Sequence, residues 1–228
     1  MTAPAWDGTI EGARALQAML APQVVLRDGF TKPLRVIGGF AVGFSGDGTM
    51  AHAAGVLLDA ENLDVLDAQA VEMPTAMRYV SGLLSFRELP PLLEILERLS
   101  QLPDVAMVSG AGIAHAQRFG IASHFGVASG VPTLGVATKA PPGNSATLQQ
   151  VRGAYTPLRE RGEQIGWMLR SKLHCQPLSV SPGHRVAMAS TADLVMRYTR
   201  AHRLPEPIRL ALRLAARRAG QPDAASHE

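Results

Sequence analysis

The chain has 228 residues, 46% hydrophobic and 18% charged, which is enough to bury one sizeable core, and one domain spanning 1–228 is expected. The formal charge is only +3, the N-terminus lacks the basic-then-apolar order of a signal peptide, and no apolar run reaches the roughly 18 residues of a membrane span, so a cytoplasmic protein is expected. The lone Cys175 excludes an internal disulfide and thiolate zinc clusters.

Three apolar or β-rich runs, residues 35–44, 50–59 and 63–71, are separated by the turn formers FSGDGT and AENL and predict a three-stranded antiparallel meander. A loop containing Pro74 and Gly82 follows. Over residues 85–102, Leu92, Leu93, Leu96 and Leu99 recur at helical spacing, and LPD ends the element. A short buried strand is expected at 105–108, a helix carrying His124 at 118–129 and a strand at 133–136. In the stretch DVAMVSGAGIAHAQRFGIASHFG, both His115 and His124 are read as belonging to the helical part. Strands alternating with helices after a meander imply a mixed α/β sheet with helices on its faces.

Residues 139–150 have the composition of an exposed loop, while 164–170 and 178–181 read as edge strands. Helices are expected over 191–201 and from Pro205 and Pro207 to Ala219. In the second, Arg209, Arg213 and Arg217 share a stripe at i, i+4 and i+8, facing either a groove or water. Residues 1–151 hold 9 Lys and Arg against 13 Asp and Glu, residues 152–218 hold 13 against 4, and the last ten hold 0 against 2. The basic third is either an attractor of phosphate backbones or a solvated arginine-rich surface.

Five ordered blocks, RYVSGLLSFRELPPLL (78–93), GIASHFGVASGVPTLGVA (120–137), RGEQIGWMLRSK (161–172), SPGHRV (181–186) and RLPEPIR (203–209), resemble endonuclease V, the deoxyinosine-directed nuclease family of nucleic-acid repair. The resemblance implies a ribonuclease H-like fold. It also implies a hydrolase that uses Mg²⁺ or Mn²⁺, held by carboxylates, to polarise a phosphodiester and activate water.

Position by position, the implied acids are mostly replaced. The family's first-strand motif resembles G-A-D-V-G-F, and Ala41 stands at its aspartate. The V-D-G-H-G motif reads Val108-Ser109-Gly110-Ala111-Gly112, so Ser109 and Ala111 replace an acid and an imidazole. Leu212 occupies a further acid or histidine position, and Thr138 stands where a lysine follows G-V-A, with Lys139 one place later. Glu88 in SFRE is the remaining family carboxylate and the one metal-ligand candidate. Asp47, roughly 20 Å from Ala41 along an extended chain, and Asp104 are expected to serve a turn and the start of a strand.

The resemblance places Tyr79 in a strand-separating wedge, where an aromatic ring stacks on an unstacked base; a tyrosine packed on the core is the alternative. Gly82 lies in the same loop. Gly110 and Gly112 either cradle a phosphate with backbone N–H groups or permit close packing. His115 and Lys139 are candidate phosphate contacts, His124 a core histidine, and His184 a brace for the following helix. Three readings follow: a nucleic-acid-binding pseudoenzyme that binds no Mg²⁺ tightly, a nuclease with a rearranged site around Glu88 and Ser109, and a protein-interaction scaffold.

Overall fold

The computed structural model describes residues 6–141 and 148–218. The predicted meander forms from β1 (Val36–Phe44), β2 (Met50–Asp59) and β3 (Val65–Pro74), paired antiparallel with Ala41 opposite Ala54 and Ala54 opposite Ala70. The third strand runs past its expected end at Val71 because its backbone goes on pairing as far as Met50 opposite Pro74. Next come α2 (Ser85–Arg98), β4 (Val105–Ser109), α3 (Ile121–Ser129) and β5 (Thr133–Ala137). β4 lies parallel to β1 and to β5, so the helical crossovers place the C-terminal ends of three neighbouring strands together.

An N-terminal helix, α1 (Ile10–Leu20), was not predicted. Its buried residues Ala13, Gln17 and Leu20 lie at helical spacing, but the glutamine breaks the apolar stripe that periodicity relies on. A strand not expected from the sequence is β6 (Tyr155–Glu160), which pairs with β7 (Glu163–Leu169). The full sheet order is β3-β2-β1-β4-β5-β8-β7-β6, with β8 spanning Leu178–His184. The two strands expected at an edge, β7 and β8, are therefore internal. The edge belongs to β6, where Pro157 can be tolerated for want of a ladder N–H.

Strand alternation sends side chains to two cores. Val36, Phe40, Ala106 and Val108 meet Leu92, Ile95 and Phe125 from α2 and α3. Ile37, Val105, Met107 and Val136 meet Val195 of α4 (Met188–Arg197), Tyr198 at its C-cap and Ile208 of α5 (Glu206–Arg218). α5 lies very close to β1, because a Cβ at Gly39 would overlap the Pro207 carbonyl. The proposed last turn at Ala219 is outside the described residues. α4 begins three residues before the expected Thr191, because Asp28 accepts the Ala187 N–H at 2.8 Å and the Ser190 hydroxyl at 2.6 Å. That cap comes from 159 residues away in sequence and leaves no local signal. His184 does not brace α4; its Nδ1 accepts the Val25 N–H at 3.3 Å and ties down the N-terminal segment. Among the described residues no helix is long and apolar enough to cross a membrane.

Candidate nucleic-acid interface

Phe40 is opposite Val108 in the parallel ladder, so Ala41, within β1, and Ser109, the last residue of β4, come next on adjacent strands. The sequence thus brings the two altered acid positions together. Ala41 is fully buried and forms an apolar cluster with Val56 and Ala211, against which Leu210, Leu212 and Leu214 of α5 pack. Ala41 and Leu212, both at positions where the family resemblance implies a ligand, are now joined through hydrocarbon. Glu88 is buried in the first turn of α2. Burial pushes its pKa up to about 8, against the pull of the neighbouring Arg87 cation, so at neutral pH it is largely a neutral acid.

A divalent ion of the magnesium type needs hard anionic oxygens to offset its dehydration. The residues here offer one carboxyl, that of the buried Glu88, with a serine hydroxyl and aliphatic groups, so the donor set does not fit such an ion. Neither nearby aspartate substitutes. Asp47 Oδ1 accepts from the Ser45 hydroxyl at 2.6 Å and the Thr49 N–H at 3.1 Å; these bonds and the Thr49 hydroxyl lower its pKa to about 2 and fix it in the β1–β2 turn. Asp104 accepts the Arg35 and Val36 N–H groups at 2.7 and 3.0 Å and thereby opens β1.

The loops above this floor are polar. Tyr79 is 64% exposed in the loop between β3 and α2, not packed on the core. Gly82, with φ of +81°, has nothing within 4 Å of a built Cβ, and the turn here suits glycine's left-handed backbone. Gln17, only 4% exposed, donates from Nε2 to the Gly82 carbonyl at 2.9 Å and, more weakly, to the Phe119 carbonyl at 3.4 Å. It links the Tyr79 loop to the β4–α3 loop. Sequence reading missed it because the helix carrying it was missed.

Of the two readings of Gly110 and Gly112, the phosphate cradle is not available in that form. The Gly110 N–H donates to Val136 O at 2.9 Å, and the Gly112 N–H to Ser181 Oγ at 2.9 Å. A Cβ on Gly112 would collide with the Pro182 carbonyl, which accounts for the glycine by close packing. His115 precedes α3 in this loop and is not helical. Burial, with the Arg118 charge adding to it, holds its ring below the ordinary histidine pKa. Arg118 anchors the loop to the β6–β7 hairpin through Glu160 at 2.5 Å and Glu163 at 2.9 Å. Lys139 is exposed just after β5. His124 is the core histidine expected: its Nδ1 is 3.1 Å from Ser85 Oγ, it lies against Phe86 and Phe119, and burial lowers its pKa to about 4.

The basic third is less free than its charge count implies. Arg170 donates to the carbonyls of Gln149 and Cys175, Arg203 to those of Gln176 and Thr138, Arg152 to Thr199, and Arg185 to Gly130 and Gly29. Within the expected Arg stripe, Arg209 is held by Glu206 at 2.5 Å. These cations still contribute to the long-range field, but their positions are set by internal bonds.

The central β1-β4-β5 parallel core, the antiparallel meander and the flanking helices define a ribonuclease H-like α/β protein. The fold superimposes on the crystal structure of the Endonuclease V from Streptomyces avermitilis with a TM-score of 0.88 at 35% identity, covering 96% of this chain and 98% of that one. An Endonuclease V of Azotobacter vinelandii is 54% identical over 214 residues, which are 94% of this chain and 96% of the relative. The Endonuclease V family model matches residues 18–213, and the chain belongs to that family. A variant of the Ciona intestinalis Endonuclease V, in complex with a 23mer DNA containing an inosine followed by a ribo-adenosine, superimposes with a TM-score of 0.81 at 25% identity over 94% of this chain and 98% of that one.

Proposed function

We propose that this Endonuclease V family member binds nucleic acid, inosine-containing DNA or RNA foremost, and has lost or strongly reduced metal-dependent phosphodiester cleavage. The observation that carries this reading is the apolar cluster of Ala41, Val56 and Ala211 with Leu212 packed on it. A metal-dependent hydrolase needs charge there to hold the ion and lower the pKa of its water, and aliphatic carbon supplies none. The exposed Tyr79, the braced β4–α3 loop with His115, and Lys139 are the surface offered to a strand. Gly82 shapes the turn beside Tyr79, while Gly110 and Gly112 act by allowing the loop to pack.

The test is to incubate the purified protein with deoxyinosine-containing DNA and with inosine-containing RNA in Mg²⁺ or Mn²⁺, and to follow nicking and binding side by side. Salt-sensitive binding without product is expected. A second reading, slow cleavage at a rearranged site, is favoured by the retained Glu88 and requires metal-dependent product that disappears in Glu88→Ala. Binding that is absent or indifferent to salt would replace both with a scaffold role.

A further inference from the structure

Beside the Tyr79 loop, a groove of about 470 Å³ lies between the β1–β2 turn, Thr75 after β3 and the first turn of α2. Its lining includes Asp47, Thr49, Thr75, Arg78, Tyr79 and Arg87. Arg87 is unusual among these: it is 5% exposed, yet no carboxylate lies within ion-pair distance of it among the described residues. Its guanidinium is stacked 4.3 Å from the Phe44 ring centroid, and Nη2 donates to the Gly48 carbonyl at 2.5 Å. Nε is buried with no hydrogen-bond partner. A buried cation whose donors are incompletely matched is costly to hold, and the cost falls when an anion shares its site.

We infer that this groove is a phosphate-binding subsite, in which the part of the Arg87 guanidinium that lines the groove, assisted by the exposed Arg78, receives a backbone phosphodiester of a nucleic-acid strand that passes Tyr79. The inference deepens the nucleic-acid reading above and rests on it for the identity of the phosphate's owner. Arg87 is suited to the task because the ring beneath it and the Gly48 carbonyl fix the guanidinium plane in advance, so little side-chain entropy is lost on binding. The Thr49 and Thr75 side chains also line the groove. Thr75 Oγ1 donates to the Gly48 carbonyl at 3.1 Å, which braces the same turn that holds Arg87. Asp47 opposes an anion, but its carboxylate is turned to the Ser45 and Thr49 donors, and the groove's charged lining is two cations against this one acid.

Two measurements test the subsite. In the first, inorganic phosphate is titrated into the full chain, and the amide signals of Gly48, Thr49 and Thr75 and the Arg87 Nε–H signal are followed by NMR against a chloride control at equal ionic strength. Saturable shifts that weaken in Arg78→Ala are expected; shifts no larger than with chloride would overturn the subsite. In the second, the salt dependence of oligonucleotide binding is compared between wild type, Arg78→Ala and Arg87→Lys, the last keeping the buried charge so that folding is preserved. Arg78→Ala should reduce the slope of log K against log salt by about 0.7–0.9, the amount for one phosphate contact. Arg87→Lys should weaken binding several-fold, because a point charge replaces a fixed fork.

If the oligonucleotide binds equally well to all three proteins, the groove is not on the strand's path and the inference fails while the nucleic-acid reading stands. Phosphate saturating the groove in a protein that binds no oligonucleotide would leave the anion site in place but overturn its assignment to a nucleic-acid strand, together with the broader reading.

Discussion

The floor of the cleft and the loops above it have been treated differently. At the floor, Ala41 and Leu212 belong to a cluster of aliphatic side chains between β1 and α5, and Glu88 is a buried neutral acid. In the loops, Gln17 spans two backbone carbonyls, Arg118 joins two glutamates, and Tyr79 projects into solvent. At the floor the groups present are those that favour helix packing. Polar contacts that position the loops are kept. Apolar side chains at such a place need not loosen a fold, since a site made of like charges is itself a source of strain that apolar packing avoids.

The contrast can be broken most severely by returning charge to the floor. Ala41→Asp should destabilise the protein by about 3 kcal/mol or more in urea unfolding, the scale of an uncompensated buried charge. Millimolar Mn²⁺ should restore part of that loss in Ala41→Asp with Ser109→Asp if the strand ends still converge on Glu88; no change in divalent-ion affinity would mean that the cleft has drifted beyond these substitutions.

The buried acid comes next. Glu88 has a folded pKa raised to about 8, so its contribution to stability is fully present below about 4.5 and is lost as pH rises through 8. His124, lowered to about 4 by burial, acts in the opposite sense: its contribution is present above about 6.5 and is lost as pH falls through 4. Thermal melts across pH 4 to 9 should therefore show Glu88→Gln gaining on wild type steadily toward alkaline pH, with little difference near pH 4. A constant offset at every pH would show that Glu88 is not titrating with a raised pKa.

The close approach of α5 to the floor gives a smaller effect. Gly39→Ala sets a methyl group against the Pro207 carbonyl and should cost about 1–3 kcal/mol by overpacking, read as a lower urea midpoint. The least effect is expected in the loops, where Arg118→Ala should cost about 0.5 kcal/mol, because its glutamate partners are largely solvated. If nucleic acid uses this loop, the same variant should weaken oligonucleotide binding more than its small stability loss explains.

Much of the fold was legible from the chain alone. The meander, α2, β4 and β5 were visible because their apolar periodicities and turn residues are local properties, and the ordered motifs identified the family. Other features depend on partners far away in sequence. The start of α4 is set by Asp28, β7 and β8 are internal because β6 covers the outside, and α1 is marked by a buried glutamine whose role exists only once Gly82 and Phe119 are beside it.

The same division runs through the site. Composition and motif spacing determined which carboxylates are present, since a side chain's chemistry is written in the residue itself. Only the tertiary structure decided that Leu212 packs on the apolar cluster containing Ala41, that Glu88 is desolvated, that the Gly110 and Gly112 N–H groups are already engaged, and that many arginines of the basic third clasp carbonyls. Burial, charge state and donor availability are properties of a neighbourhood, and the neighbourhood exists only after the strands and helices have packed.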